Sequence, residues 1–338
     1  MSLAEGIRAV VRQPGAIELE AFDVPTPKPD EVLLRTRTTL ISPGTERAFF
    51  LAMSNTSASY PLYPGYSQIG DIIAVGEAVD DWRVGDRVAS IGNHASHVVI
   101  SAKLCHRVPD VLTDEQAVFF NLIAIAMQAI HKARIELGES VIVLGAGLIG
   151  LFAMQLAKLS GGLPVIAVDQ HARRLDIATQ LGADGAFVED DRALSLIRAY
   201  TGREGAAVVI EATGVPDVVN RALHLAGRRG RVLLLGSTRG LTESVNFYRD
   251  VHRKGISIIG AHETTRPTHD TAPGWWTQYD EHRVALNLLA ANRLYVDSLV
   301  THRFHHAVFL DAYELLRNWD GNALGMVIDW GRMGDDER

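Results

Sequence analysis

The stretch SVIVLGAGLIG, residues 140–150, limits what this chain can fold into more than any other part of it. An apolar run of Val, Ile and Leu reads as a strand, and it passes through Gly145, Gly147 and Gly150 into LFAMQLAKLSG, which reads as a helix. Glycines at that spacing do separate jobs. Gly145 permits a tight turn, Gly147 lets the backbone approach a pyrophosphate, and Gly150 lets the helix pack closely on the strand. The opening helix residues, Leu148 and Ile149 among them, carry N–H groups without helical partners, which favour phosphate oxygens. The next strand, PVIAVD, ends at Asp169, 24 positions after Gly145 (169 − 145 = 24). A carboxylate about 20 residues beyond such a turn accepts hydrogen bonds from an adenosine ribose. It also repels a 2′-phosphate, so NAD is the expected cofactor, with Gln170 beside the same position. Arg173 and Arg174 are the residues that argue for NADP instead. An ordinary β-α-β unit with glycines placed for packing would show the same turn without a ligand.

The alternation continues. AFVED, AAVVIEATG, GRVLLLGS and ISIIGA read as further strands with amphipathic helices between them, the pattern of a parallel sheet covered on both faces. Two strand ends marked by glycine, EATGV (211–215) and LLGSTRG (234–240), fall where such a sheet opens toward a ligand. Ala212, Thr213, Gly214, Leu235, Gly236 and Ser237 are therefore candidates for the nicotinamide half, or plain β-α turns. Residues 7–110 have a different texture: EVLLRTRTTLI, GDIIAVG and GDRVASIG are short β-type runs bounded by glycine. DEQAVFFNLIAIAMQAIHKA, from Asp114, reads as one long apolar helix. THRFHHAVFLDAYELLRN reads as a strand and a helix, and GMVIDWG as a closing strand. With 338 residues the chain is long enough for two cores. The expected fold is α/β: a doubly wound parallel-sheet (Rossmann) domain over 123–259, inserted in a β-rich domain formed by 1–122 and 260–338.

The bulk properties exclude several functions. A net charge of −7 without long basic runs argues against a nucleic-acid or anionic-membrane surface. No apolar run reaches the roughly 20 residues of a membrane span, and MSLAEGIRAVVRQPG has no apolar core of a signal peptide. Cys105 is the single cysteine, which rules out an internal disulfide and fits a reducing cytoplasm.

The whole chain resembles the medium-chain dehydrogenase/reductase superfamily. The resemblance rests on SPGTE at 42–46, PGYS at 64–67, GDRV at 85–88, NLIAIAMQA at 121–129 and the glycine turn. SPGTE with YPLYPGY is most similar to the branch holding the bacteriochlorophyllide hydroxyethyl dehydrogenases. The resemblance implies that the β-rich domain is GroES-like and carries the catalytic groups, that the substrate is a small molecule, and that the protein is a homodimer or homotetramer. It also identifies what is missing. Where zinc-dependent members place three metal ligands, this chain has Pro43, Tyr66 and Asn121, none suited to Zn²⁺. The four-cysteine lobe that would fall near IGNHASHVV is absent. An unusual metal site would draw on Glu46, His94 or His97, and a strand would turn the two histidines to opposite faces.

A site without metal must polarise or deprotonate the substrate oxygen with hydrogen bonds and a tuned acid or base. The resemblance places Thr45 where relatives hold a substrate hydroxyl, and Glu46 where they hold a carboxylate behind the metal. Tyr66 stands in for a histidine ligand, Asn121 offers an amide, and His94 falls near the substrate pocket. Structural alternatives stand beside these: Thr45 or Asn121 as helix caps, Tyr66 as core, and His94 with His97 as partly exposed polar residues at a strand start. Residues 261–283 form a long polar and aromatic segment, in which Trp275, Trp276 and Tyr279 would cover a bulky or sugar-like substrate or a subunit contact, with His262 and Glu263 nearest the cofactor. The leading expectation is zinc-independent, NAD-dependent oxidation of a secondary alcohol on a polyol, sugar or ring-bearing metabolite. A zinc-free NAD(P)H-dependent reductase of activated double bonds and a cofactor-binding module without catalysis remain open.

Overall fold

The computed structural model describes residues 5–56, 59–188, 190–268 and 276–331. The chain divides into two compact units, one of Met1–Asn121, His282–Asn292 and Val296–Arg338, the other of Leu122–Glu281 and Arg293–Tyr295. The sequence placed the return to the first domain at 259/260, whereas the units as packed divide at 281/282.

The first unit begins with β1 (Glu5–Gln13) and β2 (Ala16–Asp23), an antiparallel pair. There follow β3 (Glu31–Ile41), α1 (Pro43–Phe50), β4 (Gln68–Val75), β5 (Arg87–Ser90), β6 (His97–Ser101) and β7 (His106–Arg107). EVLLRTRTTLI forms β3 over its whole length, because β-branched and apolar residues suit a strand covered from several sides. The apolar run expected as one helix is broken into α2 (Asp114–Ala117) and α3 (Phe120–Ala133). Thr113 and Gln116 cap α2 reciprocally, and the break leaves the Val118 carbonyl to accept from Ser67 Oγ at 2.6 Å.

The second unit takes over within α3 and runs β8 (Val141–Leu144), α4 (Leu148–Leu159), β9 (Val165–Val168), α5 (Ala172–Gln180), β10 (Gly185–Phe187), α6 (Asp190–Thr201), β11 (Ala206–Glu211), α7 (Pro216–Leu225), β12 (Ala226–Leu234) and β13 (Ser257–Gly260). Its sheet is parallel throughout with order β10-β9-β8-β11-β12-β13, so the winding reverses between β8 and β11. β8 and β11 are buried along their whole lengths, as apolar strands covered on both faces must be. The chain returns within α8 (Gln278–Ala290) and closes the first unit with β14 (Val300–His305), α9 (Phe309–Arg317) and β15 (Gly325–Asp329). The larger sheet of that unit has the order β14-β15-β3-β4-β5-β7, with β6 on β3. The α/β class and the inserted doubly wound unit are as expected. Among the described residues, no helix is long and apolar enough to cross a membrane.

Candidate active site and cofactor cradle

In the second unit the glycine turn has the geometry that its sequence requires. Gly145 takes φ +95°, and a Cβ on Gly150 would lie 1.8 Å from the Gly145 carbonyl oxygen, so no other residue fits there. Gly147 is the N-cap of α4, and a Cβ there would meet nothing nearer than Arg174 Nη1 at 4.0 Å. The space over that helix start is open, with a guanidinium beside it. Leu148 is buried and Ile149 half-buried. The Asp169 carboxylate is held by the turn itself: Ala146 N–H donates to Oδ2 at 2.7 Å, and His171 N–H donates to Oδ1 at 2.8 Å. His171 Nδ1 is 2.9 Å from Oδ1, and Arg174 Nη1 is 3.6 Å from Oδ2. Gln170 and Arg173 point into solvent. A dinucleotide fits these residues: an open helix N-terminus, a basic side chain next to it, and a carboxylate fixed at the end of β9.

At the ends of β11 and β12, Thr213 and Ser237 are exposed, Ala212 and Gly236 half-buried, and Gly214 and Leu235 buried. A residue not singled out by sequence organises this corner. Glu211 is fully buried, and its Oε1 accepts from Thr213 N–H at 2.6 Å, from Gly214 N–H at 3.1 Å and from the Thr213 hydroxyl. Its Oε2 accepts no hydrogen bond among the described residues. Burial pushes the Glu211 carboxyl above its ordinary range, against the lowering effect of those donors.

The candidate catalytic residues all lie in the first unit. Ser42 is the N-cap of α1, so Thr45 is inside the helix, half-buried, and does not cap it. Glu46, one turn in, is buried. Its Oε1 accepts from Ser42 N–H at 2.9 Å, while Oε2 accepts from His94 at 2.9 Å and from the Tyr313 hydroxyl at 2.5 Å. His94 is wholly buried, and its Nδ1 is 2.8 Å from Thr39 Oγ1, which in turn accepts from Trp330 Nε1 at 3.0 Å. His97 opens β6 half-buried and bonds Ser96 instead, so the two histidines do part company.

Tyr66 is carried to this cluster by its neighbour. Gly65 adopts φ +100°, and a Cβ on it would lie 2.6 Å from the His94 backbone nitrogen, which donates to the Pro64 carbonyl. The PGY turn therefore lies directly on His94. Tyr66 is half-buried, and its carbonyl accepts from Asn121 Nδ2 at 2.8 Å. Asn121 lies inside α3, not at its cap, and its Oδ1 accepts from His282 Nε2 at 2.9 Å; His282 Nδ1 is 3.1 Å from His106 Nε2. The amide thus fixes the Tyr66 backbone. Burial, then the charge and hydrogen bond of Glu46, then the charge Tyr66 would carry, push the Tyr313 phenol well above its ordinary value. The two phenols are near enough to feel one another.

Zinc does not fit these residues. Pro43 has no donor atom, Asn121 is engaged through both ends of its amide, and among the described residues no three of His, Cys, Asp or Glu are grouped to hold a metal ion. Cys105 is buried, and burial pushes its thiol up to about 12, which leaves it unreactive.

Part of the 261–283 segment is also ordered by chemistry that spacing does not show. Glu281 is buried, and its two oxygens meet Arg266 Nη1 at 2.8 Å and His131 Nδ1 at 3.1 Å. The exposed Trp276 stacks on His131 with ring centroids 4.3 Å apart. His262 and Glu263 form an exposed local turn, Tyr279 is exposed, and Trp275 lies outside the described residues.

Two domain families match the chain: the alcohol dehydrogenase GroES-like domain over residues 28–110, and the zinc-binding dehydrogenase over residues 149–276. The D-guloside 3-dehydrogenase of Shigella flexneri is 34% identical over 221 residues, 62% of this chain and 61% of the relative. The chain thus matches about three fifths of the length of that relative. The sorbitol dehydrogenase of Ovis aries is 26% identical over 345 residues, covering 92% of this chain and 93% of the relative. The crystal structure of galactitol-1-phosphate dehydrogenase from Escherichia coli has the same fold, with a TM-score of 0.82 at 24% identity over 96% of this chain and 99% of that one.

Proposed function

Because the chain belongs to the medium-chain dehydrogenase/reductase superfamily, we propose that it is an oxidoreductase that passes a hydride between a secondary alcohol of a polyol or sugar and NAD, without a catalytic zinc ion. The names of the guloside, sorbitol and galactitol-1-phosphate dehydrogenases support the substrate class. Asp169 at the end of β9 supports NAD over NADP, since a 2′-phosphate would face a carboxylate that Ala146 and His171 already hold in place. When bound, the dinucleotide supplies the hydride acceptor. The chain's own residues do the rest: α4 presents its N–H groups to the pyrophosphate, Gly147 leaves room for it, and Glu211 fixes the turn at Thr213 and Gly214.

The observation that carries the zinc-free part is the fate of the ligand positions. Pro43 offers no side-chain ligand, Asn121 is committed to Tyr66 and His282, and the turn that carries Tyr66 lies on His94, which is bonded to the buried Glu46 carboxylate. Thr45, Tyr66, Glu46 and His94 then share the handling of the substrate hydroxyl and its proton. The same reading carries a homo-oligomer in a reducing compartment. The test is metal analysis of the purified protein together with oxidation of a polyol and sugar panel. We expect less than stoichiometric zinc, activity that survives a chelator, and NAD⁺ preferred over NADP⁺. One zinc per chain, lost together with activity, would sink the proposal.

A further inference from the structure

Resting on the NAD reading, we propose that His171 is the positioning residue behind the choice of cofactor: its ring holds the Asp169 carboxylate and keeps Arg174 from closing on it. The case begins at the start of α5. His171 is the N-cap of that helix, a place where a polar side chain ordinarily accepts from the N–H groups of the first turn. This side chain makes no capping bond. The ring turns back instead, and Nδ1 lies 2.9 Å from Asp169 Oδ1. The same oxygen accepts from His171 N–H at 2.8 Å, and a carboxylate oxygen is an acceptor, so Nδ1–H donates to it as well. The backbone bonds from Ala146 and from residue 171 would survive a substitution here. The ring is what this sequence adds.

A second side chain competes for that carboxylate. Arg174 lies in the first turn of α5, where its N–H donates to the His171 carbonyl at 3.0 Å. Its Nη1 stands 3.6 Å from Asp169 Oδ2, beyond a good hydrogen bond, and 4.0 Å from the point that a Cβ on Gly147 would occupy. The guanidinium therefore lies between the Asp169 carboxylate and the open start of α4, with both in reach. Closing on Oδ2 to about 2.8 Å would take less than about 1 Å of movement, and an arginine pairs with a carboxylate through two parallel bonds. Two arrangements follow. With the ring on Oδ1, Asp169 stays available to a ribose, and Arg174 stays beside the helix start that receives a pyrophosphate. With the ring gone, the carboxylate is drawn to Arg174. A ribose diol then finds its acceptors taken, and a 2′-phosphate meets an arginine next to the acid that would otherwise repel it. His171 thus acts on the cofactor through Asp169, by deciding which neighbour the carboxylate serves.

The experiment titrates the full chain with NAD⁺ and, separately, with NADP⁺, and reads dissociation constants by calorimetry, so that no turnover is needed. His171→Ala should weaken NAD⁺ about tenfold and leave NADP⁺ within about twofold, so that the preference for NAD⁺ falls about tenfold. His171→Asn, whose side-chain amide reaches the place of Nδ1, should restore most of that preference. Arg174→Gln added to His171→Ala removes the competing partner: both dinucleotides should bind more weakly, with the preference back within about threefold of the parent's. A ring with a merely structural role would move both affinities together and leave their ratio alone. The His171 side chain is 38% exposed, so these replacements leave the core untouched. A His171→Ala protein whose preference lies within about twofold of the parent's overturns the proposal, and so does a lost preference that Arg174→Gln fails to restore. A parent that binds neither dinucleotide, or prefers NADP⁺, overturns the NAD reading and this proposal with it. A parent that prefers NAD⁺ by a ratio insensitive to His171 leaves the NAD reading standing and removes this proposal alone.

Discussion

Acid should loosen the first unit through His106. This side chain is buried, its Nε2 lies 3.1 Å from His282 Nδ1, and His282 leads through Asn121 to the carbonyl of Tyr66. Burial, with the positive charge of Arg283 adding, pushes its imidazole down to about 4, against 6.5 for an unburied histidine. The folded state therefore takes up the proton less readily than the unfolded chain. Its contribution to stability is complete above pH 6.5 and is lost as the pH falls through 6.5 toward 4. Linkage puts the loss at about 2 kcal/mol at pH 5 and about 3 kcal/mol below pH 4. His106→Gln keeps a donor for His282 and removes the titration. Because two units need not unfold together, stability is best read from urea-dependent hydrogen exchange of the β3 and β4 amides. Between pH 7 and pH 5 the parent should lose about 2 kcal/mol more than His106→Gln. Equal losses in the two proteins would refute the reasoning, and with it the idea that the turn bearing Tyr66 is anchored through a neutral His106.

Two further outcomes follow from the second unit. Gly150→Ala puts a methyl group 1.8 Å from the Gly145 carbonyl, so α4 must shift; dinucleotide binding followed by fluorescence should weaken at least tenfold, and melting should report a loss of about 2 kcal/mol or more. Glu211 has a raised carboxyl pKa, so its contribution is greatest below the unfolded value of 4.5 and declines as the pH rises through the folded one. Thermal melting of Glu211→Gln beside the parent should show the variant gaining relative stability between pH 4 and pH 8, and parallel curves would remove burial as the cause of the shift.

Local spacing made the second unit legible. Strand, turn, helix and acidic strand end lie within thirty residues, and two of the glycines are required there by the turn itself, Gly145 by its positive φ and Gly150 by the Gly145 carbonyl. The catalytic region resisted for the opposite reason. Glu46 and Tyr313 are 267 positions apart, and no periodicity in α1 or α9 signals that a hydroxyl from one will reach a carboxylate of the other. Thr39, Trp330, His106 and His282 were missed likewise, since each looks like an ordinary strand or helix residue until the sheet brings β3, β15 and α8 together. The long apolar run from Asp114 hid its break because an irregular turn between two buried helices leaves hydrophobicity unchanged. Thr45 and Asn121 looked like caps, and both proved to be one or two residues inside their helices.

α4 is buried nearly all round: Leu148, Gly150 and every residue from Leu151 to Ala157 are buried. A helix with no solvated face has no rotamers or backbone angles left to settle when something binds at its end. The free N–H groups at its start are thus held in one arrangement by the core of the sheet, and an anion meeting them forfeits little conformational entropy. Affinity at this point should then hold nearly constant under mild denaturant and fall only when the unit itself unfolds, whereas sites carried on exposed turns lose affinity gradually.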